Sequence, residues 1–153
     1  LRNPIDRAWS HYWHEVNRNK TEKLKFLKAI KRKLKTHEDK YWFSYLQTGH
    51  YAEHLKRWFS LYDRANFFIL DSESFFSKPE YWFKEIQKFL NCNAIYGFTN
   101  YPNISLRTKY PKMPDDIKNR LSNYYKPHNK KLYKLLNKRI WKDDKKTGGE
   151  SEN

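Results

Sequence analysis

The amino-acid sequence predicts an α/β domain that is mostly helical, and three observations carry that expectation. Ile5, Ala8, Trp9, Tyr12, Trp13 and Val16 fall on one face at helical spacing, behind an Asn-Pro start. Asn66-Phe67-Phe68-Ile69-Leu70 is a short continuous apolar run of the kind buried in a parallel sheet. A helical pattern follows it, so strand and helix together read as a β–α unit. Aromatics make up 18% of the 153 residues, too many for a disordered tail despite a formal net charge of +15.

The elements follow in order. Asn3 suits an N-cap, Pro4 the first helical position, and Asp6 the first turn, where negative charge opposes the helix dipole. Arg2 then stands just outside the helix start, with Arg7 and Ser10 inside the helix. Free N–H groups beside an arginine make an anion site; a capped surface helix with solvated arginines is the plainer alternative. From Lys20 to Lys35, Leu24, Leu27, Ile30 and Leu34 form a narrow apolar stripe among eight Lys/Arg residues. That stretch reads as a basic amphipathic helix, either a solvated face or a polyanion-binding one.

Gly49-His50 opens the next helix, with Tyr51, Leu55, Trp58, Phe59 and Tyr62 as its buried stripe. His54 lies beside that stripe as a packed, hydrogen-bonded side chain. After the strand at 66–70, Asp71-Ser72-Glu73 marks an exit. Ser77-Lys78-Pro79-Glu80 then has capping-box spacing, ahead of a helix facing inward through Phe83, Ile86 and Leu90. Residues 91–113 are irregular, a length of loop that is often functional. Two further helices follow, one from Pro114 with Ile117, Leu121, Tyr124 and Tyr125 inward, and one after Pro127 with Leu132, Leu135 and Leu136 inward. Trp141 closes the fold. The domain is expected to span 1–141, with 142–153 a polar, frayed tail.

Composition narrows the chemistry. With 32 Lys and Arg against 17 acidic residues, the expected partners are polyanions or phosphorylated molecules. The single Cys92 has no cluster of metal-ligand spacing around it, and no metal is expected. No apolar run approaches the roughly 18 residues of a membrane span. GxxxxGK[ST], GxSxG, HExxH and CxxC are all absent. Asn103-Ile104-Ser105 is a glycosylation sequon, a pattern common by chance. Because the chain has no initiator Met and opens on a site-like motif, it is expected to be the C-terminal part of something longer.

The motifs together resemble the sulfotransferase family. Arg2-Asn3-Pro4-Ile5-Asp6-Arg7-Ala8-Trp9-Ser10 resembles its R-x-P-x-x-x-x-x-S stretch. Gly49-His50-Tyr51-Ala52-Glu53-His54-Leu55-Lys56-Arg57-Trp58 is similar to its G-x-Y-x-x-H-L-x-x-W helix, and Phe68 to Glu73 to its strand running into an acidic turn. Lys109-Tyr110-Pro111 and the stretch from Tyr125 to Leu132 match the C-terminal end of heparan-sulfate-type and related bacterial members. The resemblance runs in order from residue 1 to about 141.

That resemblance implies the C-terminal half of a P-loop-like three-layer α/β fold, mostly helical here with few parallel strands. It implies 3′-phosphoadenosine 5′-phosphosulfate (PAPS) as sulfuryl donor, with Arg2 and Ser10 holding its 3′-phosphate. An arginine fork plus a hydroxyl is chemically suited to a phosphate monoester. A second clamp is implied at Arg107, Thr108, Lys109 and Tyr110, although the family's Lys-Gly-Arg order is missing. Phe98 is the aromatic assigned to stack on adenine, with Tyr96 and Tyr101 as neighbours for the same role. The family's donor-loop lysine and acceptor base lie upstream of its R-x-P stretch. No catalytic residue is therefore assigned, and these residues alone are expected to be inactive.

The function implied is transfer of a sulfuryl group from PAPS to a hydroxyl or amine, on an anionic carbohydrate. The compartment depends on the branch: cytoplasm for a bacterial-type member, Golgi lumen for a heparan-sulfate-type member with an upstream anchor. The alternative is a non-catalytic basic module gripping nucleic acid or an anionic glycan. Most aromatics sit at helical core spacing rather than as stacking platforms, so no nucleic-acid partner is expected.

Overall fold

A computed structural model describes residues 1–32, 35, 43–92 and 110–141. Among these residues α-helices run in order as α1 (Pro4–His14), α2 (Phe26–Ala29), α3 (Tyr51–Phe59), α4 (Ser72–Ser77), α5 (Pro79–Phe89) and α6 (Asp115–Leu136). A π-helical turn, Glu15–Asn19, extends α1, and the 3₁₀ turns Gln47–Gly49 and Arg64–Asn66 flank α3. No helix among them is long and apolar enough to cross a membrane.

Helix α1 forms where the capping residues place it. The Asn3 side chain accepts from the Ile5 N–H at 3.0 Å, and Pro4 takes the first turn. Its apolar face builds the larger core: Ile5, Ala8, Trp9 and Tyr12 pack with Phe26, Ala29, Tyr45 and Leu46 and with Ile117, Leu121 and Tyr125 of α6. Edge-to-face ring pairs join the layers, Trp9 to Phe26 at 5.1 Å and His11 to Tyr45 at 4.8 Å. A smaller core of Ala52, Leu132 and Trp141 joins α3 to the second half of α6.

Several sequence expectations need correction. Lys20–Lys35 is not one amphipathic helix. The π turn ends at Lys20 in the left-handed region, φ 55°, and the chain then wraps around a buried Glu22. That carboxylate accepts from Leu24 N–H and the Tyr45 hydroxyl, each at 2.8 Å, and pairs with Arg32. Satisfying a buried charge takes precedence over helical periodicity, and the short helix that remains buries Phe26 and Ala29.

The run at 66–70 is not a strand. Phe67 is extended, φ −118° and ψ 117°. Leu1 N donates to Leu70 O, and Ser72 N–H donates to Leu1 O at 2.6 Å, which is the pattern of a parallel ladder. Among the described residues these two bonds to Leu1 are not extended into a sheet. Its side chains, with Leu55, Trp58 and Phe89, line an open apolar groove of about 690 Å³. Trp58 is consequently 52% exposed, rather than buried as its spacing suggests, and Tyr62 is 55% exposed.

The capping box at Ser77 does not form. Lys78 precedes α5 without a side-chain cap, while the Ser77 hydroxyl donates back to Ser74 O. Asp71 caps the preceding helix instead, accepting from Ser74 N–H at 2.7 Å. Finally, Pro127 does not separate two helices but sits inside the 22-residue α6. Ile117, Leu121, Tyr125, Asn129 and Leu132 form one continuous buried stripe across it, and Pro127 itself is on the exposed face. The lost backbone bond therefore falls on the solvent-facing side of the helix, where Asn123 and Pro127 are both exposed. The tail 142–153 lies outside the described residues.

Candidate functional site

The start of α1 is pinned from three sides. The Tyr51 hydroxyl, on α3, donates to the Arg2 carbonyl at 2.9 Å. The Asn3 N–H donates to the Glu73 carboxylate at 3.3 Å, and Leu1 is bonded to the segment at 70–72 as described. Pro4 packs on Gly49, where an added Cβ would lie 2.7 Å from the Tyr125 ring and 3.0 Å from Pro4 Cβ. Only glycine fits there. The residues of four separate motifs thus meet at one backbone point, the turn that carries Arg2.

Arg2 faces a cleft of about 360 Å³. Lys112 and Lys118 line it from the approach to α6 and its first turn, with Tyr110 on the wall and Asp6 and Asp115 also present. The Trp9 indole N–H donates to the Pro111 carbonyl at 3.0 Å, which ties that wall to α1. Three cations against two carboxylates leave the cleft weakly positive, suited to an anion of low or moderate charge.

The helix N-terminus contributes less than its position suggests. Pro4 has no N–H, Ile5 N–H is taken by Asn3, and Asn3 N–H by Glu73. Two donors of the first turn are therefore spent, and anion binding falls on the side chains. Arg7 does not join Arg2. Its Nη1 is buried with no hydrogen-bond partner among the described residues, and its charge acts on the hydroxyls of Tyr51 and Tyr125. Burial raises both tyrosines above their usual range, and Arg7 opposes that rise.

Of the residues assigned from the sequence, Arg2 and Tyr110 line the same cleft. Ser10 lies on α1, half-buried, and does not line it. Phe98, Arg107, Thr108 and Lys109 lie outside the described residues. Sequence reading missed Lys112 and Lys118 as partners of Arg2. Lys112 follows the Lys-Tyr-Pro match directly, and that adjacency was the available signal. It also named Tyr51 as part of a motif without giving it the role of holding Arg2.

His50, Glu53 and His128 gather where α3 meets α6. His54, one turn on, is exposed, with Nε2 3.2 Å from the Gln47 carbonyl oxygen. The expected hydrogen bond is present, though the side chain is not packed inside.

Comparison with known proteins matches these motifs. The family model described as the sulfotransferase domain matches residues 1–146. A mouse bifunctional heparan sulfate N-deacetylase/N-sulfotransferase 4 is 26% identical over 174 residues, covering 90% of this chain and 19% of its own length. The membrane-associated sulfotransferase kil1 of Dictyostelium discoideum is 34% identical over 97 residues, covering 63% of this chain and 20% of its own. A sulfotransferase of solved structure from Alicyclobacillus acidocaldarius is 26% identical with a TM-score of 0.72, covering 92% of this chain and 53% of that one. The chain thus spans about a fifth of these curated relatives and about half of the bacterial enzyme. With motifs, helix arrangement and family model in agreement over nearly its whole length, the chain belongs to the sulfotransferase domain family.

Proposed function

We propose that residues 1–141 supply the 3′-phosphate-binding portion of a PAPS-dependent sulfotransferase acting on a carbohydrate hydroxyl or amine. The observation that carries this reading is the pinned turn at Arg2, which opens onto a cleft shared with Tyr110, Lys112 and Lys118. Holding the backbone at Arg2 and Asn3 from α3 and from the acidic turn fixes the point from which the guanidinium reaches the cleft. Ser10 is proposed as the hydroxyl donor further along α1. Arg107, Thr108 and Lys109 are proposed as the opposite clamp, and Phe98 as the adenine platform.

In the reaction, the acceptor oxygen or nitrogen attacks sulfur in line and the bond from sulfur to the 5′-phosphate oxygen breaks. The acceptor proton leaves to a base, and 3′-phosphoadenosine 5′-phosphate is released. Positive groups stabilise the charge that develops on the bridging and equatorial oxygens, as in phosphoryl transfer. No residue of this chain matches the family's donor-loop lysine or its base, so these residues alone bind nucleotide without turning it over. The excess of Lys and Arg favours an anionic glycan as acceptor. The resemblance to heparan sulfate N-deacetylase/N-sulfotransferases supports the same class. The three-layer α/β frame is proposed on the likeness to the bacterial enzyme.

Calorimetric titration with 3′-phosphoadenosine 5′-phosphate tests the reading. Saturable binding is expected, weakened at least about tenfold in Arg2→Ala and in Ser10→Ala, because a hydrogen bond to a charged group is worth about 1.5–3 kcal/mol. Tight, salt-dependent binding of nucleic acid with no response to the nucleotide would overturn it in favour of a basic binding module.

A further inference from the structure

The solvent face of α6 is a row of cations. Opposite the buried stripe of Ile117, Leu121, Tyr125, Asn129 and Leu132 stand Arg120, Lys126, Lys130, Lys131 and Lys134, all exposed. Between them on that face Asn119, Asn123 and Pro127 are exposed and uncharged. From Ile117 to Leu136 the helix has no acidic residue, since Asp115 and Asp116 sit in its first turn. At the α-helical rise, the row from Arg120 to Lys134 spans about 21 Å.

Cations elsewhere in the fold are neutralised. On α5, Lys84 and Lys88 pair with Glu80 and Glu85 of their own helix, at 3.1 and 2.7 Å, and Arg32 pairs with Glu22. None of the cations on the α6 row forms an ion pair with another described residue. Lys126, Lys130 and Lys134 instead follow one another at i, i+4 spacing, where like charges repel and weaken a helix. The helix withstands this because its other face is packed into both cores. A polyanion laid along the row would relieve the repulsion, so the free protein is the state of higher electrostatic energy.

The chemistry of the face selects among polyanions. Single-stranded nucleic acid is gripped by aromatic platforms interleaved with cations, and the tyrosines of α6 are engaged elsewhere. Tyr125 is in the larger core, Tyr133 packs on the smaller one, and Tyr124 lies against His50 and His128. Lysine, which dominates the row, is a flexible point charge rather than the planar fork that grips a phosphate in two places. Such a row suits sulfate or carboxylate groups repeated along a sugar chain, with the Asn119 and Asn123 amides free to bond its hydroxyls. We propose that the solvent face of α6 is a docking surface for a sulfated or uronic-acid polysaccharide, separate from the Arg2 cleft. The choice of a glycan rests on the sulfotransferase reading above, whereas the charged row does not. Arg120 shares a helical turn with Lys118 of the cleft wall, so a chain held on the row is tethered beside the cleft at high effective concentration.

Calorimetric titration of the 153-residue chain with a short heparin oligosaccharide tests this. Two variants of equal net charge are compared. One carries Lys126→Gln, Lys130→Gln and Lys134→Gln on the row, and the other Lys23→Gln, Lys25→Gln and Lys28→Gln at exposed positions around α2. Glutamine matches lysine in helix propensity, so both keep the fold, which circular dichroism verifies. Wild type is expected to bind saturably and more weakly as salt rises. The α6 variant should lose about tenfold in affinity, the scale of three exposed ion pairs together, and the α2 variant should change little. Both should retain wild-type affinity for 3′-phosphoadenosine 5′-phosphate, because neither set lines the Arg2 cleft. Equal losses in the two variants would reduce the effect to net charge and sink the proposal, as would absence of saturable oligosaccharide binding. A single-stranded oligonucleotide of matched charge, bound more tightly than the glycan and through the same lysines, would put nucleic acid in its place. Failure of the nucleotide to bind, with the oligosaccharide response intact, would remove the sulfotransferase reading and leave the docking surface standing.

Discussion

Tyr51 illustrates how a single hydroxyl links the core to the site. Its ring packs with the smaller core, near Trp141 at 6.0 Å, while its oxygen reaches the Arg2 carbonyl. Tyr51→Phe keeps the packing and removes the bond. It is expected to cost about 0.5–1.5 kcal/mol of stability, the usual net worth of one hydrogen bond. Affinity for 3′-phosphoadenosine 5′-phosphate should fall severalfold, although Tyr51 is a positioning residue with no assigned contact to the nucleotide. Thermal melts and calorimetry on the same variant separate the two effects. A stability loss with unchanged nucleotide affinity would reduce Tyr51 to a role in folding alone. Gly49 works at the same point by absence, since the Tyr125 ring fills the space any side chain would need.

Among the elements, α6 does the most joining. Its first half closes the aromatic core through Ile117, Leu121 and Tyr125, and its second half closes the smaller core through Leu132. Pro127 is retained inside it at an energetic disadvantage, because burial on either side outweighs one missing backbone bond. Pro127→Ala restores an N–H able to bond the Asn123 carbonyl and removes the ring clash there. The substitution is expected to stabilise the protein by about 1–3 kcal/mol, within the helix-interior difference between the two residues. Chemical denaturation measures it; a lower midpoint for the alanine variant would mean that a bend at Pro127 serves the packing. The stretch from Lys20 to Arg32 shows the opposite balance. There, one buried carboxylate with partners from three places dissolves a helix that its apolar spacing favours.

At the level of the whole molecule, the aromatic core makes the fold sensitive to alkali. Tyr45 and Tyr125 are fully buried, and both hydroxyls are held well above the usual 10.0. Burial is the leading cause for each, and Glu22 adds to it at Tyr45. The unfolded chain ionises first, so the folded state binds more protons above about pH 10. The stability these residues contribute is full below that pH and is lost as pH rises toward their folded values, by up to about 1.4 kcal/mol per pH unit for each hydroxyl. Spectrophotometric titration with parallel circular dichroism is expected to show a subset of the 12 tyrosines ionising only as the fold is lost. Titration of all of them near pH 10 with the dichroism unchanged would contradict this.

By itself the sequence determined the start of α1, the identity of its buried face and the family. Capping chemistry, a fixed-φ proline and i, i+4 periodicity are local, and the motifs lie in order along the chain. The burial of Trp141 was legible for the same reason, an isolated large apolar side chain after the last helix. Only the tertiary structure decided what these pieces meet. The partners of Glu22, the continuity of α6 through Pro127 and the exposure of Trp58 all depend on surfaces brought together from distant positions. So does the meeting of Arg2 with Lys112 and Lys118, and of His50 with His128. The extended run at 66–70 is the clearest case, because a strand is defined by hydrogen bonds to a neighbour. Its apolar composition states a preference for burial, and only the three-dimensional arrangement supplies, or withholds, the partner that would make it a strand.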